Sequence, residues 1–333
     1  MSMDLVLLSA LVIAFGIAMY VLLDGFDLGV GILFLVARDE QHRQLLMASI
    51  APVWDGNETW LVLGGAMLLA AFPGAYSLLL PAWYIPLLVF LFALVFRGVA
   101  FEFRPQARRK RPWGWSFGVG SLVAALAQGA LLGSFVQGFD VRDGRYLGGL
   151  WGWLTPFSVM TGFGVAAGYM LLGAAWTIYK TDGSLQAWCY PLARRLTLVV
   201  IAFIVVVSLW TPWTEPAIAA RWFSWPNILY LSPVPLLTAA IAWRLWLALA
   251  RGHELAPFVY AAALFLLGFL GLAISTWPYA VPRALTVWDA ASSPTTQAFM
   301  LIGVAILLPL VLGYTIHTYR VFRHKTTAAS GYH

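Results

Sequence analysis

Nine uninterrupted apolar runs, each about as long as a lipid bilayer is thick, constrain this chain more than any other feature. They cover roughly 5–36, 51–72, 78–101, 113–137, 156–180, 191–212, 228–250, 257–280 and 297–321. A helix needs about twenty residues to cross the hydrocarbon layer. Continuous runs exclude the alternating ten-residue pattern of a transmembrane barrel and leave helices as the only spanning structure. Composition agrees: only 10% of residues are charged, against about 25% in soluble domains. The expected fold is an all-α integral membrane protein with nine transmembrane helices. We read residues 1–333 as one polytopic domain of two four-helix bundles plus one peripheral helix. The span count and loop lengths suggest a pseudo-repeat, 1–137 against 156–280, with 297–321 as the extra helix.

Basic residues orient the spans. One set of loops carries Arg38, Arg43, Arg104, Arg108, Arg109, Lys110, Arg111, Lys180, Arg194, Arg195, Arg251, Arg320, Arg323 and Lys325, and the other only Arg142, Arg145, Arg221 and Arg283. Fourteen against four predicts a periplasmic N-terminus and a cytoplasmic C-terminus by the positive-inside rule. The formal charge of +6 is therefore topological and implies no nucleic-acid partner. The first run has no basic leader and contains acids, so it is expected to stay as a span. Cys189 is the single cysteine, which excludes an intrachain disulfide. Trp151, Trp153, Trp210, Trp213, Trp222, Trp225, Trp277 and Trp288 gather in the outer loops, as in an interfacial aromatic belt.

Four carboxylates break the apolar pattern. Asp24 and Asp27 lie in the first run, and Asp55 and Glu58 open the second. A carboxylate at the bilayer centre costs about 2.5–3.5 kcal/mol, whereas a Leu or Val returns about 0.3–0.6. These groups must face protein or water, and the functional reading is a proton or cation path. The i, i+3 spacing puts each pair within about 60° of one helix face. The orientation places Asp24 and Asp27 in the cytoplasmic half, with Asp55 about 6 Å and Glu58 about 10 Å inward. Arg97 reaches the same depth and is the candidate counter-ion for Asp55 or Glu58. Asn57 can donate and accept, so it can bridge carboxylates or tie down a neighbouring helix. Gly25, Gly29, Gly31, Gly162, Gly164 and Gly168 lie inside apolar helices and are read as close-packing positions. The histidines His42, His253, His317, His324 and His333 fall in loops, a helix end or the tail. None offers a mid-membrane axial ligand for haem, so redox cofactors would belong to a partner.

Asp24-Gly-Phe-Asp-Leu-Gly-Val-Gly31, Ser49-Ile-Ala-Pro-Val-Trp-Asp-Gly-Asn-Glu-Thr-Trp60 and Phe96-Arg-Gly-Val-Ala-Phe-Glu-Phe-Arg104 resemble subunit II of cytochrome bd-type quinol oxidases, including the cyanide-insensitive branch. The motifs cover the first three spans; beyond them the resemblance rests on layout and length. It implies a haem-free subunit, with no catalytic residue of its own, of a bacterial inner-membrane enzyme that oxidises quinol and reduces O2 to water. Haems of b and d type and the quinol-oxidising loop would belong to subunit I, its pseudo-symmetric partner, often accompanied by a small single-helix subunit. A cytoplasmic proton path is attributed to acids matching Asp27 and Asp55, while Glu58 stands where some relatives carry an amide. Family members can hold a structural quinone or lipid, at residues the resemblance does not locate. Two other readings of the deep acids remain: a proton-coupled secondary transporter, and a scaffold for a haem-bearing partner.

Overall fold

A computed structural model describes residues 2–327; His333 lies outside the described residues. The chain forms α1 Ser2–Val36, α2 Glu40–Ile50, α3 Trp54–Ala71, α4 Pro73–Ala82, α5 Tyr84–Phe103 and α6 Lys110–Gln137. A short hairpin follows, β1 Val141–Arg142 and β2 Arg145–Tyr146, then α7 Pro156–Lys180, α8 Gly183–Thr214, α9 Pro216–Phe223, α10 Asn227–Leu231, α11 Pro233–Ala250 and α12 Ala256–Thr276. A second hairpin, β3 Tyr279–Val281 and β4 Leu285–Thr286, leads through α13 Val287–Ala290 into α14 Pro294–Val321. Among the described residues, eight helical stretches are individually long and apolar enough to cross a membrane. The pair α3 and α4 meets that standard together but bends by 119° at its break.

That break departs from the expected run at 78–101, because Leu78–Ala82 belong to α4 and not to α5. Proline chemistry explains both of its ends. Pro73 has no N–H for the Leu69 carbonyl, so α3 stops at Ala71 and the chain turns at Phe72 (φ −131°, ψ 59°). Pro86 would press its ring on the carbonyl of Ala82, where α4 stops; it is tolerated in the first turn of α5. The Ala71 carbonyl freed by the break accepts from Gln297 Nε2 at 2.8 Å and from the Ser292 amide at 2.9 Å. The buried Ser9 hydroxyl donates to Gln297 in turn. One polar clasp thus joins α1, the α3–α4 corner and α14. Before α3, the expected loop at 37–50 contains the short helix α2, whose first turn is capped by the Asp39 carboxylate accepting from the His42 amide.

Helix α1 runs through the middle of the bundle and packs against α3, α6 and α7, while α7 also packs on α6, α8 and α12. Two crossings depend on glycine. A β-carbon on Gly29 would collide with the Tyr169 carbonyl and the Gly173 backbone, and one on Gly129 would lie 2.6 Å from the Gly162 Cα. Small residues there let backbones meet. Phe26 then stacks on Trp176 with ring centroids 4.3 Å apart. In contrast, α14 rests thinly on α3 and α1, burying only Gln297, Val304 and Thr318.

Candidate functional site

The crossing of α1, α3 and α5 places one guanidinium between two carboxylates. Asp24 on α1 and Arg97 on α5 are buried, 0% and 1% exposed. Arg97 donates through one terminal nitrogen to Asp24 Oδ1 at 2.6 Å and through the other to Glu58 Oε2 on α3 at 3.1 Å. Charge-assisted bonds of this length are the strong kind. Asp24 has no exposure, while the Glu58 side chain keeps 31%, so the triad runs from the interior to the helix surface.

Asp27 lies one helical turn beyond Asp24, equally buried but without a cationic contact. Its Oδ2 accepts from Asn57 Nδ2 at 2.8 Å, and the same nitrogen reaches the Leu23 carbonyl at 3.3 Å. Asn57 Oδ1 accepts from the Tyr319 hydroxyl of α14 at 2.9 Å. Among the described residues, Oδ2 of Asp24 and Oδ1 of Asp27 are buried without a hydrogen-bond partner of good geometry. The Tyr20 and Tyr169 rings bring their hydroxyls within electrostatic reach of Asp24 from α1 and α7.

Asp24, Asp27, Asn57, Glu58 and Arg97 are therefore neighbours, and Arg97 contacts Asp24 and Glu58. Asp55 is set apart. It is exposed in the first turn of α3, where a negative charge also suits the helix N-terminus. The i, i+3 spacing that keeps Asp24 and Asp27 both inside α1 splits Asp55 from Glu58, because α3 lies at the edge of the bundle and 60° of rotation crosses from contact to surface. Tyr319 and Tyr20 were not foreseen. Neither tyrosine carries a spacing signal, and only the packing of α14 on α3 brings the Tyr319 hydroxyl to Asn57.

The described residues do not fit haem ligation. His42 is the buried histidine among them, and its Nε2 lies 2.9 Å from Ser184 Oγ. His253, His317 and His324 are exposed. No group of three or more His, Cys, Asp or Glu residues among the described residues could hold a metal ion.

Sequence relatives agree with one another. The chain is 28% identical to the cytochrome bd-I ubiquinol oxidase subunit 2 of Escherichia coli K12 over 336 aligned positions, covering 89% of this chain and 88% of that one. It is 29% identical to the cytochrome bd ubiquinol oxidase subunit 2 of Bacillus subtilis, with 92% of each chain covered. In solved structures, a chain of the bd oxidase from Geobacillus thermodenitrificans superposes with a TM-score of 0.77 over 96% of this chain and 98% of that one. At 16% identity that likeness speaks for the fold alone. The family model described as cytochrome bd terminal oxidase subunit II matches residues 5–322, nearly the whole chain and every residue of the site, and the chain accordingly belongs to that family.

Proposed function

We propose that this chain is the haem-free subunit of a bacterial inner-membrane quinol:O2 oxidoreductase and that it delivers cytoplasmic protons toward a haem-bearing subunit I. The observation that carries the reading is the set Asp24–Arg97–Glu58, running from the interior to the surface, beside the buried pair Asp27–Asn57. Arg97 donates to Asp24 and to Glu58 and ties the two carboxylates into one charged network. Asp27 accepts from the Asn57 amide and forms no salt bridge among the described residues, so it is the carboxylate that would exchange a proton within this set. Asp55 and Glu58 would collect protons at the surface of α3. Asp24 and Asp27 would pass them inward, with Asn57 and water satisfying the oxygens that lack a partner.

Reduction of O2 consumes protons, and uptake from one side alone turns electron flow into a membrane potential. The reading therefore includes a periplasmic N-terminus, a cytoplasmic C-terminus and an inlet opening among the basic loops. It groups α1, α3, α5 and α6 in one bundle and α7, α8, α11 and α12 in the other, with α14 peripheral, along the pseudo-repeat suggested by the spans. Subunit I would carry the b- and d-type haems and oxidise the quinol. A small single-helix subunit, a structural quinone and bound lipids complete the expected assembly. The family match argues against a free-standing secondary transporter, as does the gathering of the deep acids in one half of the chain.

Turnover of the purified oxidase carrying Asp27→Asn or Asp55→Asn tests the route. Loss of quinol-dependent O2 consumption with unchanged haem spectra is expected. Near-normal rates in both variants would remove the proton path, and failure of the complex to assemble would instead favour a purely structural role for the acids.

A further inference from the structure

We infer that Tyr319 is a positioning residue for the proton-exchanging site, acting on Asp27 through the Asn57 amide. The inference rests on the proton-path reading above and adds a residue to it. The amide of Asn57 has two possible orientations, and its surroundings choose between them. On one side lie two acceptors, Asp27 Oδ2 at 2.8 Å and the Leu23 carbonyl at 3.3 Å. On the other lies the Tyr319 hydroxyl at 2.9 Å, which donates to Oδ1. With that donor present, the NH2 group of Asn57 faces Asp27 and favours a bare carboxylate. Without it, the amide can turn over and accept from Asp27, which favours the protonated acid.

The placement of Tyr319 depends on how α14 is fastened, because this helix buries little apolar surface. At its first turn the Gln297 clasp holds it to α1 and the α3–α4 corner. After its last turn, the segment at 322–326 is strapped across the end of α7, the turn into α8 and the loop between α11 and α12. Lys180 Nζ donates to the Phe322 and His324 carbonyls at 2.5 Å each, and the Thr326 amide donates to the Lys180 carbonyl at 2.7 Å. Lys325 pairs with Asp182 and, at 2.8 Å, with Glu254. Tyr319 sits one turn before this strap, so a polar fastening outside the acid cluster sets the position of a hydroxyl within it.

The groups that bear on Asp27 are Asp24 on its own helix, Asn57 and Glu58 on α3, Arg97 on α5 and Tyr319 on α14. The titrated variants therefore remove only the Tyr319 hydroxyl or the Asn57 amide and leave every carboxylate and the guanidinium in place. The intact oxidase complex is prepared as parent, Tyr319→Phe, Asn57→Ala and the double variant. The infrared carboxyl band of Asp27, identified by its loss in Asp27→Asn, is titrated in each. One net hydrogen bond is worth about two- to twelvefold in an equilibrium, so Tyr319→Phe should move the midpoint alkaline by about 0.4–1.1 pH units. In the Asn57→Ala background the same substitution should move it no further, since the two side chains act as one unit. An unchanged midpoint in Tyr319→Phe, an equal shift persisting without Asn57, or an Asp27 band that does not titrate at all would each overturn the inference. This readout is independent of turnover. Full activity in both Asp27→Asn and Asp55→Asn would defeat the proton path while leaving the link between Tyr319, Asn57 and Asp27 measurable.

Discussion

Removing the guanidinium of Arg97 should do more damage than removing any of the carboxylates it serves. Arg97→Met keeps a long apolar side chain of similar reach but leaves Asp24, which has no solvent exposure, facing its former partner at what was a 2.6 Å contact. Breaking a buried pair by deleting one member costs about 3–5 kcal/mol, because the remaining charge is desolvated and uncompensated. The second contact, to Glu58, adds little, since that side chain is 31% exposed and can be hydrated. The lower part of the range, about 3 kcal/mol, follows, or a loss of about two orders of magnitude in the folded-to-unfolded ratio. The assay is thermal denaturation of the purified complex in mild detergent, followed by haem absorbance and by far-ultraviolet circular dichroism. Arg97→Met should melt well below the parent. Asp24→Asn in the same background should restore most of the loss, because the orphaned charge is gone. A single variant that melts with the parent, or a double variant no better than the single, would refute the argument that charge compensation holds α1 to α5.

Two further outcomes follow from the same geometry. Gly29→Ala should destabilise the chain by about 1–3 kcal/mol, measured by the same melting experiment, because its methyl group meets the rigid Tyr169 carbonyl and Gly173 backbone instead of a side chain that can move. Outside the spans, hydrogen bonds from Lys325 and Gln186 hold the Glu254 carboxyl below its usual range. Lys325, despite some desolvation, is raised by its bonds to Asp182 and Glu254. A depressed acid stabilises above its unfolded value of about 4.3 and loses that contribution as pH falls through its folded one, whereas a raised lysine stabilises below about 10.4 and loses it as pH rises through its folded one. The melting difference between parent and Lys325→Met should therefore be present near neutrality and shrink at both extremes; a difference constant from acid to alkaline pH would show that the strap is not held by these charges.

Much of this protein is legible in its residue order because the bilayer makes few demands and enforces them strictly. Apolar length alone outlines the helices, since an unsatisfied backbone cannot exist in hydrocarbon. The high cost of a carboxylate there singles out Asp24, Asp27, Asp55 and Glu58 before any contact is known. Arg97 could be nominated as a counter-ion because depth along a helix follows from counting residues. Faces and depths are one-dimensional quantities, and the sequence carries them directly.

Contacts between helices are not of that kind. The break at Phe72, the exposure of Asp55 one turn from the half-buried Glu58, and the sharing of Arg97 between α1 and α3 depend on which helix lies at the edge of the bundle and how close its neighbours come. Tyr319 is the extreme case, separated from Asn57 by 262 residues and brought to it by a clasp and a strap at the two ends of a loosely packed helix. Local order determined what must be buried and how deep; only the packed chain decided which buried groups meet, because a hydrogen bond needs two atoms within about 3 Å and no spacing along one helix can specify the position of another.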